Sequence, residues 1–127
     1  MIVLDASVAL AAITGHAPAH QAIALDRLIA PAHIDVEIAH ALRGLVLGNK
    51  VRAEAAADAI ALWQSLAVDR LPIGPLLDRV WQLRESLTTY DAAYVALAER
   101  HSVPLVTGDR ALANAPGVRC QIHLIAA

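Results

Sequence analysis

The sequence predicts an α/β fold: an α/β/α sandwich around a central, mainly parallel sheet of four to five strands. The first observation is the apolar run Ile2-Val3-Leu4, which passes through Asp5 directly into a helical pattern. A short apolar run without polar alternation is typical of a strand buried on both faces of a parallel sheet. The second observation is that further short apolar runs are separated by segments of helical periodicity, which predicts crossover helices on both faces.

The remaining elements follow in order along the chain. The dipeptide Ala30-Pro31 predicts extended backbone, because the residue before proline avoids helical geometry. Pro31 also suits the first turn of a helix that Gly48 would end. Pro72 indicates that the strand before it lies at a sheet edge. Strands are predicted at 2–4, 29–31, 68–72, 103–107 and 121–124, and helices at 6–12, 19–28, 31–48, 52–67, 76–87, 91–100 and 110–113.

Composition limits the class of protein. With 127 residues, 57% of them hydrophobic, the chain is expected to form a single domain, 1–127, with a substantial core and a further buried interface. No apolar run approaches the roughly 18 residues of a membrane span, and no basic segment precedes the first strand as in a signal peptide. Cys120 is the single cysteine, so no intrachain disulfide is expected. The predicted location is the cytoplasm.

The formal net charge of −2 provides no overall positive field for nucleic acid. An RNA partner would therefore be attracted by a local patch, a metal ion or another subunit. The six histidines contain no H-x-x-x-H pair, which argues against a zinc site. The four aromatic residues, Trp63, Trp81, Tyr90 and Tyr94, lie at helical spacings and are interpreted as core or interface residues.

Three acidic residues lie where strands or turns pass into helices. Asp5 directly follows the first predicted strand. Asp109 follows the strand predicted at 103–107 after one short turn. Asp91 begins a predicted helix that is rich in small residues. Each has an alternative interpretation as a helix cap, and Thr88-x-x-Asp91 matches a capping box. If the strands are neighbours, all three acids meet at one sheet edge. Gathered carboxylates repel one another, and a hard cation such as Mg²⁺ relieves that repulsion.

Glu37 lies inside a predicted helix, beyond the capping positions. Its neighbours one and two turns further on are Ala41 and Gly44, so no lysine or arginine pairs with it at those spacings. The alternative is a solvated surface glutamate. Arg43 lies on a different face of the same helix, where a phosphate, a carboxylate of a partner protein or solvent would be its partner.

Taken together, these motifs resemble the PIN-domain ribonucleases, and among them the VapC toxins of bacterial type II toxin–antitoxin systems. The resemblance covers essentially the whole chain, in order. The stretches that carry it are Val3-Leu4-Asp5-Ala6-Ser7-Val8, Glu37 with Ala41-Leu42-Arg43, Tyr90-Asp91-Ala92-Ala93-Tyr94-Val95-Ala96-Leu97-Ala98, and Leu105-Val106-Thr107-Gly108-Asp109.

The resemblance implies a PIN-like fold in which Asp5, Glu37, Asp91 and Asp109 form the catalytic, metal-binding site for Mg²⁺ or Mn²⁺. It also implies that the hydroxyls of two further residues orient these carboxylates from behind, and those residues are Ser7 and Thr107. Such toxins hydrolyse RNA, often transfer RNA or a ribosomal RNA loop, and typically form homodimers. A cognate VapB-type antitoxin silences them by covering the site.

Two other classes of protein do not fit the sequence. A phosphoacceptor receiver domain needs a lysine near the end of the chain, and Lys50 is the only lysine. A haloacid-dehalogenase-type phosphatase needs an aspartate at the position of Ser7. Two alternatives stay open: a non-catalytic PIN-fold module that binds a partner protein, and a PIN nuclease of RNA maturation.

Overall fold

A five-stranded, entirely parallel sheet with strand order β3-β2-β1-β4-β5 forms the centre of the computed structural model, which describes residues 1–126. The strands are β1 (Ile2–Leu4), β2 (Leu28–Pro31), β3 (Val68–Leu71), β4 (Leu105–Thr107) and β5 (Ile122–Leu124). The helices are α1 (Ala6–Ile13), α2 (Ala17–Ala24), α3 (Ile34–Leu47), α4 (Ala53–Ser65), α5 (Leu77–Gln82), α6 (Thr89–His101) and α7 (Arg110–Ala113), with a 3₁₀ turn at Gly74–Leu76.

The three inner strands have the sequence expected of buried parallel strands. Every residue of β1, β2 and β4 is buried. Val3 of β1 is aligned with Ile29 of β2 on one side and with Leu105 of β4 on the other. The outer strands β3 and β5 are partly exposed, which confirms the edge position predicted from Pro72. The predicted fold class is therefore confirmed.

Helix α6 provides much of the core on one face of the sheet. All seven residues from 92 to 98 are buried, and α6 packs against β1, β2 and β4. Four of these seven side chains are alanine methyl groups, and so small a surface lets the helix approach the sheet closely. Trp63 and Tyr94 are buried, which confirms the interpretation as core residues for these two, whereas Tyr90 and Trp81 are exposed and stay predicted interface residues.

Three predicted boundaries are wrong. Pro31 ends strand β2, where it pairs with Leu71, and does not begin the next helix. The helix predicted at 19–28 ends at Ala24, because Leu28 pairs with both Ile2 and Val68 in the sheet. The helix predicted at 76–87 breaks into a 3₁₀ turn, α5 and further turns.

The first turn of α6 agrees with its predicted cap: the backbone N–H of Asp91 donates to Thr88 Oγ1 at 3.2 Å. Among residues 1–126, no helix combines the length and apolar character needed to cross a bilayer.

Candidate acidic site at the carboxyl edge of the sheet

Asp5 is held at the end of the central strand. Its backbone N–H donates to Val106 O at 3.0 Å, which continues the contact between β1 and β4 by one residue. Its side chain is only 6% exposed and accepts hydrogen bonds from Ser7 Oγ and Thr107 Oγ1, both at 2.6 Å and both on Oδ2. It makes no side-chain capping bond to α1, so the capping interpretation of Asp5 is wrong.

The two hydroxyls are themselves fixed by backbone amides of the turn after β4. Gly108 N–H donates to Ser7 Oγ at 3.0 Å, and Asp109 N–H donates to Thr107 Oγ1 at 3.1 Å. Each oxygen accepts from an amide, and each hydroxyl hydrogen is therefore directed to Asp5. This network ties the carboxyl ends of β1 and β4 together around one carboxylate oxygen and leaves Oδ1 outside it.

Burial is the main influence on Asp5. It raises the pKa of the carboxyl above its ordinary value, because an ionised group loses solvation in the interior. The hydrogen bonds from Ser7 and Thr107 favour the charged form and offset part of this effect, whereas the nearby charge of Glu37 raises the pKa further. Asp5 is thus a carboxylate whose negative charge is disfavoured where it lies.

Glu37 lies in the first turn of α3, with its side chain 29% exposed. Its Oε1 accepts a 2.8 Å hydrogen bond from the hydroxyl of Tyr94, and His33 Nε2 lies 2.8 Å from the same oxygen. The imidazole lies within ion-pair distance of the carboxylate but does not meet the geometry of a well-directed hydrogen bond. Glu37 therefore has protein partners, and the interpretation as a solvated surface residue is wrong.

The pKa of Glu37 is shifted in the opposite direction from that of Asp5. Partial burial acts to raise it, but the contacts with His33 and Tyr94 outweigh burial and hold the pKa below its ordinary value. Glu37 is therefore stabilised in its charged form and can serve as an acceptor or a ligand over the whole neutral range.

Asp91 connects the four acids electrostatically. Burial at the start of α6 raises its pKa first, and the charges of Asp5, Asp109 and Glu37 raise it further, in that order. This pattern places Asp5, Asp109 and Glu37 each within range of the charge of Asp91. No arginine or lysine of residues 1–126 forms an ion pair with any of them.

Asp109 uses only one of its two carboxylate oxygens as a helix cap. Its Oδ1 accepts from the backbone N–H groups of Ala111 at 2.9 Å and Leu112 at 3.4 Å, so the capping interpretation is confirmed for this residue. Oδ2 takes no part in the cap. The same division holds for Asp5 and Glu37, in which the protein's side-chain contacts use one oxygen of each carboxylate.

The donor chemistry of this edge fits a hard divalent cation, because all four acidic groups offer carboxylate oxygens. As the side chains stand, no three acidic, histidine or cysteine groups among the described residues are arranged to ligate a single ion directly. Mg²⁺ does not need three, since it commonly keeps several waters and uses one or two carboxylates. Arg43 is exposed on α3 and forms no ion pair within residues 1–126.

Sequence reasoning did not identify His33 and Tyr94 as neighbours of the site. One local signal was available for each. His33 precedes Glu37 by four positions, and Tyr94 follows Asp91 by three, so each pair shares a helix face or its extension. What the sequence does not contain is the contact between α3 and α6 that joins Tyr94 to a glutamate 57 residues earlier.

The chain is similar in sequence and in fold to known proteins. The model of the PIN domain family matches residues 2–118. Ribonuclease VapC9 of Mycobacterium tuberculosis is 42% identical over 125 residues, covering 98% of this chain and 98% of the relative. The crystal structure of PAE2754 from Pyrobaculum aerophilum has a TM-score of 0.73 and 27% identity, covering 95% of this chain and 81% of that one.

A more distant structure, VapBC2 from Rickettsia felis bound to a DNA fragment from their promoter, has a TM-score of 0.72 with 13% identity over 98% of both chains, and shares the fold. The family model spans most of the chain. The matched part includes β1, α3, α6 and β4, and each of the four acids lies in one of these elements or within two residues of its end. Sequence identity and architecture agree: the chain belongs to the PIN-domain family and, within it, to the VapC ribonucleases.

Proposed function

We propose that this chain is a Mg²⁺-dependent endoribonuclease, with Mn²⁺ able to substitute, and that it acts as the toxin of a VapBC toxin–antitoxin pair. The single observation that carries the proposal is the meeting of Asp5 and Asp109 at one edge of the sheet, where Thr107 contacts both and where their charges, with that of Glu37, act on Asp91. Four acids without a lysine or arginine partner are costly for a fold to maintain. A divalent cation offsets that cost and supplies hydrolytic chemistry.

A bound divalent ion would lower the pKa of a coordinated water and neutralise charge on the scissile phosphate. The chain's own residues have distinct tasks in this proposal. Asp5 and Asp91 hold the cation, Asp5 with its Oδ2 fixed by two hydroxyls. Glu37 is kept ionised by its partners, and with Asp109 it is suited to position the attacking water or accept its proton.

The proposed substrate is RNA of the transfer RNA or ribosomal RNA class. The names of relatives support cleavage of RNA, since proteins 42% identical to this chain, such as VapC9, are called ribonucleases. With a net charge of −2, the chain depends on the cation and on local basic residues for phosphate attraction. Arg43, exposed on the same helix as Glu37, is proposed to contact RNA phosphate or an antitoxin carboxylate.

Two protein partners belong to the proposal. The first is a cognate VapB-type antitoxin, which is proposed to cover the acidic edge. The name VapBC2 of the Rickettsia felis structure supports a VapB-type partner by analogy. The second is another copy of this chain. Leu77 and Trp81 of α5 are more than half exposed, and large apolar side chains of this kind are typical of an interface. Light scattering of the purified chain measures this directly, and a monomer at all concentrations would contradict the dimer.

The test of the activity combines cleavage in vitro with sequencing of RNA fragments after induced expression. The wild-type chain is expected to cleave RNA in Mg²⁺ or Mn²⁺ and to lose activity in EDTA. Asp5→Asn and Asp91→Asn preserve the shape of each side chain and are expected to abolish cleavage. A wild-type chain that binds its antitoxin but cuts no RNA would favour the non-catalytic module. Fragments confined to one precursor RNA, without arrest of growth, would favour a nuclease of RNA maturation.

A further inference from the structure

The hydroxyl of Tyr94 donates to Glu37 from inside the core. Tyr94 is completely buried in α6, in a segment whose other side chains are apolar from 92 to 98. A buried phenol needs a hydrogen-bond partner, and here the partner is Glu37 Oε1 at 2.8 Å. Among the hydrogen bonds of residues 1–126, this is the only one between a side chain of α6 and Glu37 of α3.

His33 completes the environment of the same oxygen. Its Nε2 lies 2.8 Å from Glu37 Oε1, and its ring packs edge-on against Tyr94 with centroids 5.1 Å apart. The ring also packs edge-on against Tyr90, with centroids 5.9 Å apart. The imidazole thus contacts two tyrosines of α6, and both groups that contact Glu37 converge on Oε1.

We propose that Tyr94, assisted by His33, is a positioning residue for the metal site: it fixes Glu37 through Oε1 and thereby reserves Oε2 for the cation or its water. The inference rests on the proposed function, because it assigns a task to Glu37 in that site. Carboxylates that ligate metals are themselves commonly held by such outer contacts.

The local charges agree with this role. Burial, and then the neighbouring Glu37, raise the pKa of Tyr94 well above the ordinary value, so the phenol keeps its proton and donates it to Oε1 as a hydrogen bond. The charge of Asp5 also acts to raise this pKa. Tyr94 therefore supports Glu37 from the buried side of the acidic edge.

The experiment measures Mn²⁺ affinity by electron paramagnetic resonance, together with steady-state RNA cleavage. Tyr94→Phe removes one oxygen and keeps the buried ring. It is expected to weaken Mn²⁺ binding about tenfold and to lower kcat by a similar factor, with KM for RNA within about twofold of wild type. Tyr90→Phe, the matched control, removes the same atom from an exposed tyrosine one turn earlier and is expected to change neither value.

A double-mutant cycle separates positioning from a general structural effect. In the Glu37→Gln background, Tyr94→Phe is expected to cause no further loss of Mn²⁺ affinity, because its action passes through the carboxylate. An equal tenfold loss in both backgrounds would overturn the inference, as would wild-type affinity in Tyr94→Phe itself. If Tyr94→Phe does not fold, His33→Phe keeps an aromatic ring between the tyrosines and is expected to weaken Mn²⁺ binding in the same direction.

Failure of the inference is distinguishable from failure of the proposed function. Normal Mn²⁺ affinity and cleavage in Glu37→Gln and Asp5→Asn would remove the acidic metal site altogether. A defective Glu37→Gln beside an unaffected Tyr94→Phe and His33→Phe would leave that site in place and exclude only the positioning role.

Discussion

Thr107 Oγ1 donates a 2.6 Å hydrogen bond to Oδ2 of Asp5, a residue 102 positions earlier in the chain. The same hydroxyl oxygen accepts from the backbone N–H of Asp109 at 3.1 Å. One fully buried threonine therefore fixes the central acid of the sheet and, at the same time, the turn that presents a second acid. Ser7 makes the equivalent pair of contacts from the other side, through Gly108.

This arrangement predicts the effect of Thr107→Val, which keeps the side-chain shape but removes the hydroxyl. The partly buried amide of Asp109 loses its acceptor and Asp5 loses a donor, so the free energy of unfolding is expected to fall by about 1–2 kcal/mol. RNA cleavage is expected to fall about tenfold or more, because the carboxylate is no longer fixed. Urea unfolding and cleavage assays measure the two effects. Thr107→Ser keeps the hydroxyl and should retain most of both; a serine variant as impaired as valine would contradict this explanation.

Replacing Asp91 by asparagine is expected to stabilise the folded chain, although Asp91 belongs to the proposed metal site. Its pKa is raised by burial and by three neighbouring acids. The folded chain therefore binds more protons than the unfolded chain between the ordinary value of 3.8 and the raised value, and the free energy of unfolding decreases as pH rises through that window. Asp91→Asn removes the charge, so in EDTA at pH 7 its Tm is expected to exceed that of wild type by about 3 °C.

The pH dependence supplies the control for this prediction. Below the ordinary pKa of an aspartate both wild type and variant are uncharged at position 91, so the difference in Tm should disappear near pH 3. Asp58→Asn changes an exposed acid of α4 and should leave Tm unchanged at both pH values. A metal-free Asp91→Asn that is less stable than wild type at pH 7 would mean that the acids do not repel one another as the structure indicates.

Parts of this site were accessible from sequence because they follow from local rules. Asp5 and Asp109 follow short buried strands of a parallel sheet, so their meeting at one edge depends only on strand adjacency, and β1 does pair with β4. The helix caps at Thr88 and Asp109 were equally local. Asp5 makes no side-chain capping bond, and its Oδ2 instead accepts from two hydroxyls, one of them from a distant strand.

Other parts could not be obtained from periodicity. From sequence alone, Glu37 has the pattern of a surface glutamate. Its contact with Tyr94 of α6 forms only in the folded structure, and no residue near Glu37 in the chain predicts it. Pro31 has the sequence signature of a helix start, yet pairing with Leu71 draws it into the sheet. In both cases a long-range contact decides between two locally acceptable structures.

Glu99 gives a stability prediction away from the acidic edge. Its carboxylate accepts from Arg79 Nε at 2.7 Å and from the backbone N–H of Arg119 at 2.8 Å, and its side chain is 15% exposed. Burial acts to raise its pKa, but these contacts outweigh it and hold the pKa below the ordinary value. The stabilisation is therefore present in full above the unfolded pKa and is lost as pH falls through the lower, folded value.

Glu99→Gln is accordingly expected to lower the free energy of unfolding by about 2 kcal/mol at pH 7, since a hydrogen bond to a charged partner is weakened. The deficit should shrink as pH falls below 4.5, the ordinary value for this carboxyl, because the wild-type residue then also loses its charge. Chemical unfolding at several pH values measures this. Glu85→Gln alters an exposed glutamate and should show no deficit, while RNA cleavage should be retained in both variants.

The acidic edge also predicts that metal stabilises the folded chain whether or not RNA is present. A ligand that binds only the folded state raises the free energy of unfolding by mass action, by about 2.7 kcal/mol at a concentration one hundred times its Kd. Mg²⁺ or Mn²⁺ is therefore expected to raise the Tm of wild type, most strongly for Mn²⁺ because it binds such oxygen sites more tightly.

In Asp5→Asn the increase in Tm should be much smaller, since a ligand is lost while Ser7 and Thr107 still have an oxygen to donate to. Asp58→Asn should respond as wild type does. If Asp5→Asn gained as much stability from Mn²⁺ as wild type, the ion would be binding elsewhere on the protein.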